Sequence, residues 1–253
     1  MANRLLGVIS ALPEEFAHLS DQSGASSEIG GLTFWRGQIA GREAVFVESG
    51  AGKVNAGVAT ALLLDRFGCR ALMLCGVAGG LDPALGVGDI VVGTGHIQHD
   101  YGIEKDDGYT HIQPGSRPSL GGEWTPGYFV AEPVVARLRA ALDGLALEPL
   151  PHEVGVGRRE PKVSFGAILT GDSFLNSERT RRRLFERFGA HAVEMEGGAV
   201  AQVARRWGDD IPVVNIRCLS DLAGAGSHLD FRAFLPVAAR YASQVAHRLA
   251  PVV

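Results

Sequence analysis

Acidic side chains follow or interrupt three apolar segments of the sequence. Glu14 and Glu15 come directly after ISALP, Glu194 and Glu196 lie in the run HAVEMEGGAVAQVA, and Asp221 follows VVNIRCLS. Carboxylates in apolar surroundings are costly to bury, so they require either protein donors or a ligand. Carboxyl groups beside a bound ligand can donate a proton, activate a water or accept hydrogen bonds from the hydroxyls of a sugar. Three separated acidic sites could divide these roles among them.

Each of these groups also has a structural interpretation. Pro13 suits the first position of a helix, so the acidic pair after it could be first-turn acids that the helix dipole stabilises, and for this pair alone that interpretation is favoured. For the pair around Met195, a helix N-terminus and a bound sugar diol are equally compatible with the sequence. Arg217, Ser220 and Asp221 lie at the end of a predicted buried strand, where ligands bind in open α/β sheets, so a functional role is favoured.

The chain contains 34 glycines, and many of them stand at the ends of apolar runs. SGAGKV at 49–54 and CGVAGGLDPALGVGD at 75–89 each form a turn at the end of a predicted strand. Glycine lets a ligand approach backbone N–H groups closely, although tight turns and close helix packing explain these glycines equally well. SGAGKV lacks the first, distant glycine of a phosphate-binding P-loop, so Lys53 is not expected to bind phosphates and nucleoside triphosphates are excluded as ligands.

Short apolar runs rich in β-branched residues alternate along the chain with segments of helical period. Six runs predict strands buried on both faces: 5–10, 43–50, 71–80, 89–95, 164–172 and 212–218. Six segments predict helices: 13–20, 53–68, 133–146, 177–189, 195–208 and 231–250. This alternation predicts an α/β fold with a mainly parallel sheet, helices on both faces, and ligands at the carboxyl ends of the strands.

No linker divides the chain, so we expect a single domain over residues 1–253. Segment 101–128 is rich in Gly, Pro and charge and lacks both the helix and the strand period, which predicts a long loop. His99 and Asp100, just before it, are better explained as surface residues than as substrate contacts.

Charge and cysteine content exclude several classes of partner. Lys and Arg number 24 against 28 Asp and Glu, a formal charge of −4, so no excess positive charge is available for a nucleic acid or an anionic membrane surface. Cys69, Cys75 and Cys218 have no CxxC spacing and the histidines no metal-ligand spacing, which argues against disulfides and metals and favours the reducing cytoplasm. The N-terminal segment reaches Glu14 too soon for a secretory signal, and no apolar run approaches the roughly 20 residues that span a bilayer.

A family resemblance is carried by motifs that occur in order: ISALPEEF, SGAGKVNA, GVAGGL, GVGDIVV, TGDSFLNS, VEMEGGAVA, RCLSDLAG and SHLDFRAFL. With them the chain resembles the 5′-methylthioadenosine/S-adenosylhomocysteine nucleosidases of the purine nucleoside phosphorylase superfamily, from about residue 5 to 245 and least well over 98–150. Single motifs such as GVGD mark only the superfamily, whereas VEME with RxxSD and an early acidic pair is a specific combination. The resemblance implies a three-layer α/β/α domain around a central mixed, largely parallel twisted sheet.

The resemblance also implies roles for the polar residues. Glu15 would be the general base that activates water, Asp221 the general acid at purine N7, and Glu196 the carboxylate that binds the ribose hydroxyls. Arg217 would support the water and Ser220 the acid. These roles match the base, acid and negative charge that cleavage of a ribosidic bond requires.

The remaining implied contacts are to the nucleoside. Met195 would pack against the ribose and Gly79 would contribute a backbone contact near it. Phe174 would stack on the purine, and Leu175 would offer its backbone to the edge of the base. The pocket for the 5′-alkylthio group would be lined by three apolar residues: Leu12, Ala51 and Phe231.

The implied activity is that of a cytoplasmic, cofactor-free hydrolase of methionine salvage, which cleaves 5′-substituted adenosines to adenine and a 5-substituted ribose. In the family, the loop corresponding to 101–128 helps to complete a neighbour's 5′ pocket, so a homodimer is implied and this loop bears on which 5′ substituent is accepted. Val77 stands where relatives often carry a small hydroxyl residue, and Gly197 and Gly198 are unusual early in a helix. Hydrogen bonds in the ribose site are therefore expected to differ.

Other functions stay open at this point. A futalosine-type nucleosidase would have a similar fold, and so would a purine nucleoside phosphorylase, which needs cations around its phosphate where this sequence offers only Arg217. A nucleoside-binding or storage protein without catalysis is disfavoured because Glu15, Glu196 and Asp221 are all present.

Overall fold

Strands and helices alternate along most of the chain in the computed structural model, which describes residues 4–19, 22–106, 108–115, 126–151, 160–224 and 227–253. The strands are β1 (Leu6–Ser10), β2 (Gln22–Ile29), β3 (Leu32–Ile39), β4 (Arg42–Glu48), β5 (Ala71–Gly80), β6 (Ile90–Gln98), β7 (Gly102–Lys105), β8 (Gly108–His111), β9 (Tyr128–Phe129), β10 (Val163–Thr170), β11 (Ala192–Glu194) and β12 (Val213–Asp221). The helices are α1 (Pro13–Phe16), α2 (Lys53–Asp65), α3 (Glu132–Leu142), α4 (Glu178–Phe188), α5 (Gly197–Trp207) and α6 (Ser227–Leu249), followed by a 3-10 turn at Ala250–Val252.

The main sheet of the described residues has the strand order β11-β10-β6-β12-β5-β1-β4-β3-β2. β1 pairs in parallel with β4 and β5, β12 in parallel with β5, and β10 in parallel with β6 and β11. β12 runs antiparallel to β6, and β11 also pairs antiparallel with β5. Because of that last pairing, β5, β12, β6, β10 and β11 close into a ring. The sheet is therefore mixed and its central strands are largely parallel.

Helices cover both faces of this sheet. α6, α3 and α1 pack on one face, where Met73 and Cys75 of β5 join a core that includes Tyr241. α2 and α5 pack on the other face, against a core that contains Leu72 and Leu74. Successive residues of β5 enter opposite cores because side chains alternate along a strand. The three-layer α/β/α fold class is confirmed, and none of the described helices has the length and apolar character of a bilayer span.

All six predicted strands and all six predicted helices are present, with ends that shift by a few residues. The hairpin of β2 and β3 was not predicted, because the polar sequence QSGASSEI shows no apolar alternation. Such a strand is tolerated at the edge of the sheet, and Gly30 and Gly31, with φ of 63° and 79°, make its turn. β11 has three residues, too few for a period to appear.

The segment 101–128, for which a long loop was predicted, contains two short strands in its first part. β7 and β8 form a separate two-stranded sheet, in which Gly102 pairs with His111 and Lys105 with Gly108. Strands of four residues are too short to be recognised from alternation. Residues 116–125 of this segment lie outside the described part of the chain.

Candidate active site

A cavity of about 220 Å³ opens beside the carboxyl ends of β1, β5 and β12. The register of the sheet builds it: Gly79 of β5 lies opposite Asp221 of β12 on one side and opposite Val193 of β11 on the other. All of the residues that the sequence predicted for the site line this cavity: Leu12, Glu15, Ala51, Gly79, Phe174, Leu175, Met195, Glu196, Arg217, Ser220, Asp221 and Phe231. Folding therefore brings together residues from seven separate segments of the sequence.

The single turn of α1 directs Glu15 into the cavity and leaves Glu14 exposed. Glu15 is only 2% exposed. Its Oε2 accepts hydrogen bonds from the backbone N–H groups of Ala11, at 2.8 Å, and Leu12, at 3.0 Å, and its Oε1 accepts one from Val77, at 2.9 Å. These three donors hold both carboxylate oxygens in place, so the group has a defined orientation toward the cavity.

Burial raises the pKa of Glu15 above its ordinary value, although the charge of Arg217 and the three N–H groups act in the opposite direction. A carboxylate with a raised pKa is a better general base near neutral pH than a solvated one. Gly76 allows the two charged groups to approach, because a Cβ there would collide with Oε1 of Glu15 and would lie 2.9 Å from Nη1 of Arg217.

Glu194 and Glu196 have different environments, which the sequence could not distinguish. Glu194 accepts hydrogen bonds from the N–H of Glu196 at 3.1 Å, the N–H of Gly197 at 2.8 Å and the hydroxyl of Thr170 at 2.5 Å. It also forms an ion pair with Nη2 of Arg217 at 2.6 Å. Glu194 is thus an acid at the N-terminus of α5 whose oxygens are occupied by protein donors, and for it the structural interpretation is correct.

Glu196 precedes α5 and faces the cavity with fewer partners. Its Oε1 accepts a hydrogen bond from the N–H of Gly52 at 2.8 Å, and its Oε2 lies 3.4 Å from Nη2 of Arg217. Burial raises the pKa of Glu196 to about 7 against the opposing charge of Arg217, and the nearby carboxylates of Glu194 and Glu15 raise it further. In its ionised form this carboxylate can accept hydrogen bonds from two neighbouring hydroxyls.

The buried guanidinium of Arg217 is surrounded by acceptors. Nη2 pairs with Glu194, Nη1 donates to the carbonyl of Val77 at 3.3 Å, and Nε donates to Oδ1 of Asn215 at 2.7 Å. Asn215 was not among the predicted site residues, although an amide in the otherwise apolar run PVVNI is a visible signal. Thr170 and Glu194 were also not assigned to the site.

Asp221 lies at the end of β12 and is oriented by its near neighbours in the chain. Its Oδ2 accepts a hydrogen bond from the hydroxyl of Ser220 at 3.0 Å, and its Oδ1 accepts one from the N–H of Ala223 at 2.8 Å. Ala223 has a left-handed φ of 52°. A Cβ at Gly79 would lie 3.1 Å from Oδ1 of Asp221 and 3.0 Å from the Cβ of Ala223, so any larger residue would press on both groups.

The SGAGKV turn binds protein carboxylates. The N–H of Gly52, at a φ of 101°, donates to Glu196, and the N–H of Lys53 donates to Asp172 at 2.9 Å. The ammonium of Lys53 pairs with Asp100 at 2.7 Å. Of the two interpretations left open for this turn, the structural one holds for the N–H groups of Gly52 and Lys53, and Asp100 does not line the cavity.

Aromatic and aliphatic side chains form the other wall of the cavity. The rings of Phe174 and Phe231 meet edge to face, with centroids 5.6 Å apart, and Phe174 is 47% exposed. Leu12 and Ala51 line the cavity as well. This wall offers a ring face for a planar base and an apolar surface for an aliphatic group.

The site combines the buried carboxylate of Glu15, the carboxyl group of Asp221 at a strand end and a third carboxylate, Glu196, that faces the cavity. Among the described residues, no three His, Cys, Asp or Glu side chains are grouped to hold a metal ion. The fold and these carboxylates define a class of protein that binds a nucleoside at the ends of the strands and acts on its ribosidic bond.

The sequence pattern of the phosphorylase superfamily matches residues 5–251, and the chain belongs to this superfamily. It is 44% identical over 249 residues to the 5′-methylthioadenosine/S-adenosylhomocysteine nucleosidase of Mycobacterium tuberculosis, covering 98% of this chain and 97% of that one. The resemblance inferred from the motifs is therefore confirmed.

Solved structures share the fold along the whole chain. The nucleosidase of the same name from Colwellia psychrerythraea, in complex with adenine, is 32% identical with a TM-score of 0.80, covering 99% of this chain and 96% of that one. The futalosine hydrolase of Helicobacter pylori has a TM-score of 0.81 at 24% identity, covering 99% and 98%. At that identity the similarity concerns the fold alone.

Proposed function

We propose that the protein hydrolyses the N-ribosidic bond of 5′-substituted adenosines, namely 5′-methylthioadenosine and S-adenosylhomocysteine, to adenine and a 5-substituted ribose. The main support is that Glu15, Glu196 and Asp221 meet around one cavity with three different sets of partners. The activity named for the relative from M. tuberculosis, which matches nearly the full length of this chain, points the same way.

The proposed reaction breaks the C1′–N9 bond. The electron pair of that bond passes to the purine as Asp221 gives a proton to N7. A water on the opposite face of the ribose attacks C1′ and transfers its proton to Glu15. Glu196 accepts hydrogen bonds from the ribose hydroxyls, and its negative charge stabilises the positive charge that develops on the sugar. Exchange with solvent then returns a proton to Asp221 and removes one from Glu15, so one water is consumed in each turnover.

The proposed contacts with the nucleoside follow from the polar and the apolar residues that line the cavity. The exposed ring of Phe174 would stack on adenine, with the backbone of Leu175 at the edge of the base. Met195 and Gly79 would contact the ribose. Three apolar side chains that also line the cavity would surround the 5′ substituent: Leu12, Ala51 and Phe231.

Electrostatics favour water over phosphate as the nucleophile. Arg217 is the one cationic residue among the described residues that line the cavity. Its nitrogens are bound to Glu194, Asn215 and a backbone carbonyl, and Glu196 lies beside it. A phosphate dianion entering this cavity would meet carboxylates without an available cation, which is unfavourable at short range.

The ionisation of Glu196 predicts a pH dependence. Because the pKa of Glu196 is about 7, the free protein loses the hydroxyl-binding carboxylate as pH falls through that value. One pH unit below the pKa, kcat/KM should be about tenfold lower than at high pH, where Glu196 is fully ionised. Glu196→Gln should remove this change near pH 7 and raise KM by one to two orders of magnitude, because a charged acceptor contributes roughly 1.5–3 kcal/mol per hydrogen bond. Initial rates of adenine release at several pH values measure both effects. A break near pH 7 that persists in the variant would contradict this assignment.

We also propose that the protein is a homodimer. Val54 and Val58 lie one turn apart on α2 and are 77% and 45% exposed. Apolar side chains grouped on a surface are typical of contacts between chains. Analytical ultracentrifugation should show twice the mass of one chain, and Val58→Glu should shift the equilibrium toward monomer. Sedimentation of the parent as a monomer at all concentrations would refute the dimer.

A cytoplasmic location in methionine salvage belongs to the same proposal. Cys69, Cys75 and Cys218 are all buried and form no disulfide with one another, as expected for a reducing compartment. Cell fractionation that recovers the activity outside the cytosolic fraction would contradict this location.

One assay separates the proposed function from its alternatives. The protein is incubated with methylthioadenosine, adenosylhomocysteine, aminodeoxyfutalosine and inosine, each with and without inorganic phosphate, and free base is quantified. We expect adenine from the first two substrates at rates that phosphate does not change. Dependence of the rate on phosphate would identify a phosphorylase. Release of base from aminodeoxyfutalosine alone would identify a futalosine-type enzyme. Release of no base from any of the nucleosides would identify a binding protein.

A further inference from the structure

Asn215 is a fully buried amide in the middle of β12 for which the proposed reaction gives no role. The other residues of PVVNI are apolar, as expected for a strand covered on both faces. A buried amide is costly unless its polar atoms are bound. Its Oδ1 accepts the hydrogen bond from Nε of Arg217 at 2.7 Å. The two side chains meet because residues two apart lie on the same face of a strand.

This contact completes the set of acceptors around Arg217. The guanidinium donates from Nη2 to Glu194, from Nη1 to the carbonyl of Val77 and from Nε to Asn215. A planar group held at all three nitrogens cannot rotate, whereas the loss of the Nε contact leaves it free to tilt. Its charge acts on Glu15 and Glu196.

Gly197 provides the space that Asn215 occupies. A Cβ on Gly197 would collide with Nδ2 of Asn215 and would lie 3.2 Å from Oε1 of Glu194. Nδ2 is buried and has no hydrogen-bond partner among the described residues. An unbound buried donor destabilises the folded protein. The favourable contribution of Asn215 must therefore come from its oxygen, which is hydrogen-bonded to Arg217. The unusual glycine early in α5 thus has a structural cause.

We propose that Asn215 is a positioning residue for the reaction: its Oδ1 orients Arg217, and Arg217 in turn orients the ribose carboxylate Glu196. The inference rests on the proposed function, since turnover of a ribosidic substrate is what reports the orientation. It does not depend on which 5′ substituent the substrate carries.

Three single variants test the role of the oxygen. Asn215→Val removes the acceptor but suits a buried strand, so kcat should fall about ten- to a hundredfold while the thermal midpoint stays close to that of the parent. Asn215→Asp keeps an oxygen beside Nε and should recover most of the lost activity. Val213→Ala, on the same strand and face, is the control, and it should lower the thermal midpoint without lowering kcat.

A double variant tests the link to Gly197. Gly197→Ala should displace Asn215 and lower kcat about as much as Asn215→Val, and adding it to Asn215→Val should cost little more, because the contact is already absent. If Gly197→Ala does not fold, the variants at 215 decide alone. Parental kcat in Asn215→Val, an equal loss in Asn215→Asp, or multiplying losses in the double variant would each overturn the inference. A parent without turnover would instead refute the proposed function.

Discussion

Replacement of Asp221 by asparagine should lower kcat by about three orders of magnitude, within the range that a general acid contributes. The amide has the shape of the carboxyl group, and its oxygen can still accept the N–H of Ala223, so the turn at the end of β12 should persist. The amide of Asn has no acidic proton to transfer to purine N7, so adenine must leave as an anion. Adenine release from saturating methylthioadenosine measures the loss, and KM should change little because binding contacts remain.

The identity of the leaving group separates acid catalysis from a structural effect of this variant. A 4-nitrophenyl riboside releases a stable anion without protonation, so Asp221→Asn should impair its hydrolysis far less than that of methylthioadenosine. Asp209→Asn, at an exposed residue paired with Arg205, is the control and should behave as the parent. Equal losses for the two substrates, or a kcat within tenfold of the parent on methylthioadenosine, would exclude Asp221 as the acid.

Glu15→Gln should reduce kcat by about two to four orders of magnitude, because the attacking water then has no base to take its proton. Unlike the Asp221 variant, it should impair the 4-nitrophenyl riboside as strongly as methylthioadenosine, since both need the same water. Glu14→Gln is a matched control from the same helical turn, where the side chain is exposed, and should retain parental activity. A Glu15→Gln variant that retains activity on either substrate would show that another group activates the water.

The same variant should change how stability depends on pH. The folded pKa of Glu15 is raised from 4.5, so the folded state binds this proton more tightly than the unfolded state. The parent therefore loses stability as pH rises from about 4.5 through the raised value, and glutamine has no such proton to lose. The thermal midpoint of Glu15→Gln relative to the parent should increase between about pH 5 and pH 8. A constant difference would mean that the pKa of Glu15 is not raised.

Much of the fold could be predicted because its signals are local. Buried strands such as β5 and β12 appear as continuous apolar runs, and helices such as α6 show their own period, so element types and order follow from neighbouring residues alone. The hairpin of β2 and β3 and the short strand β11 carry no such signal. Their pairing depends on contacts between segments, and the closure of the ring by β11 against β5 does as well.

The location of the site also followed from local order, since each acid stands where a strand ends and such ends meet in an α/β sheet. Which of two neighbouring acids faces the cavity could not be predicted from local order. Glu15 differs from Glu14 because a backbone N–H at Val77, 62 positions away, reaches its carboxylate. Glu194 differs from Glu196 because Thr170 and two backbone N–H groups bind its oxygens in addition to Arg217, whereas Glu196 has one N–H donor and a longer contact with Arg217.

The order of residues along the chain was thus sufficient to predict the class of fold, the edge of the sheet that holds the site and the residue types available for chemistry. Only the tertiary structure shows which carboxylate oxygens are bound by protein donors and which face the cavity. It also shows that the buried amide of Asn215 accepts a hydrogen bond from Arg217. The physical reason is that hydrogen bonds and charges act through space over a few ångströms, so that Val77 and Thr170 reach Glu15 and Glu194 from distant parts of the chain.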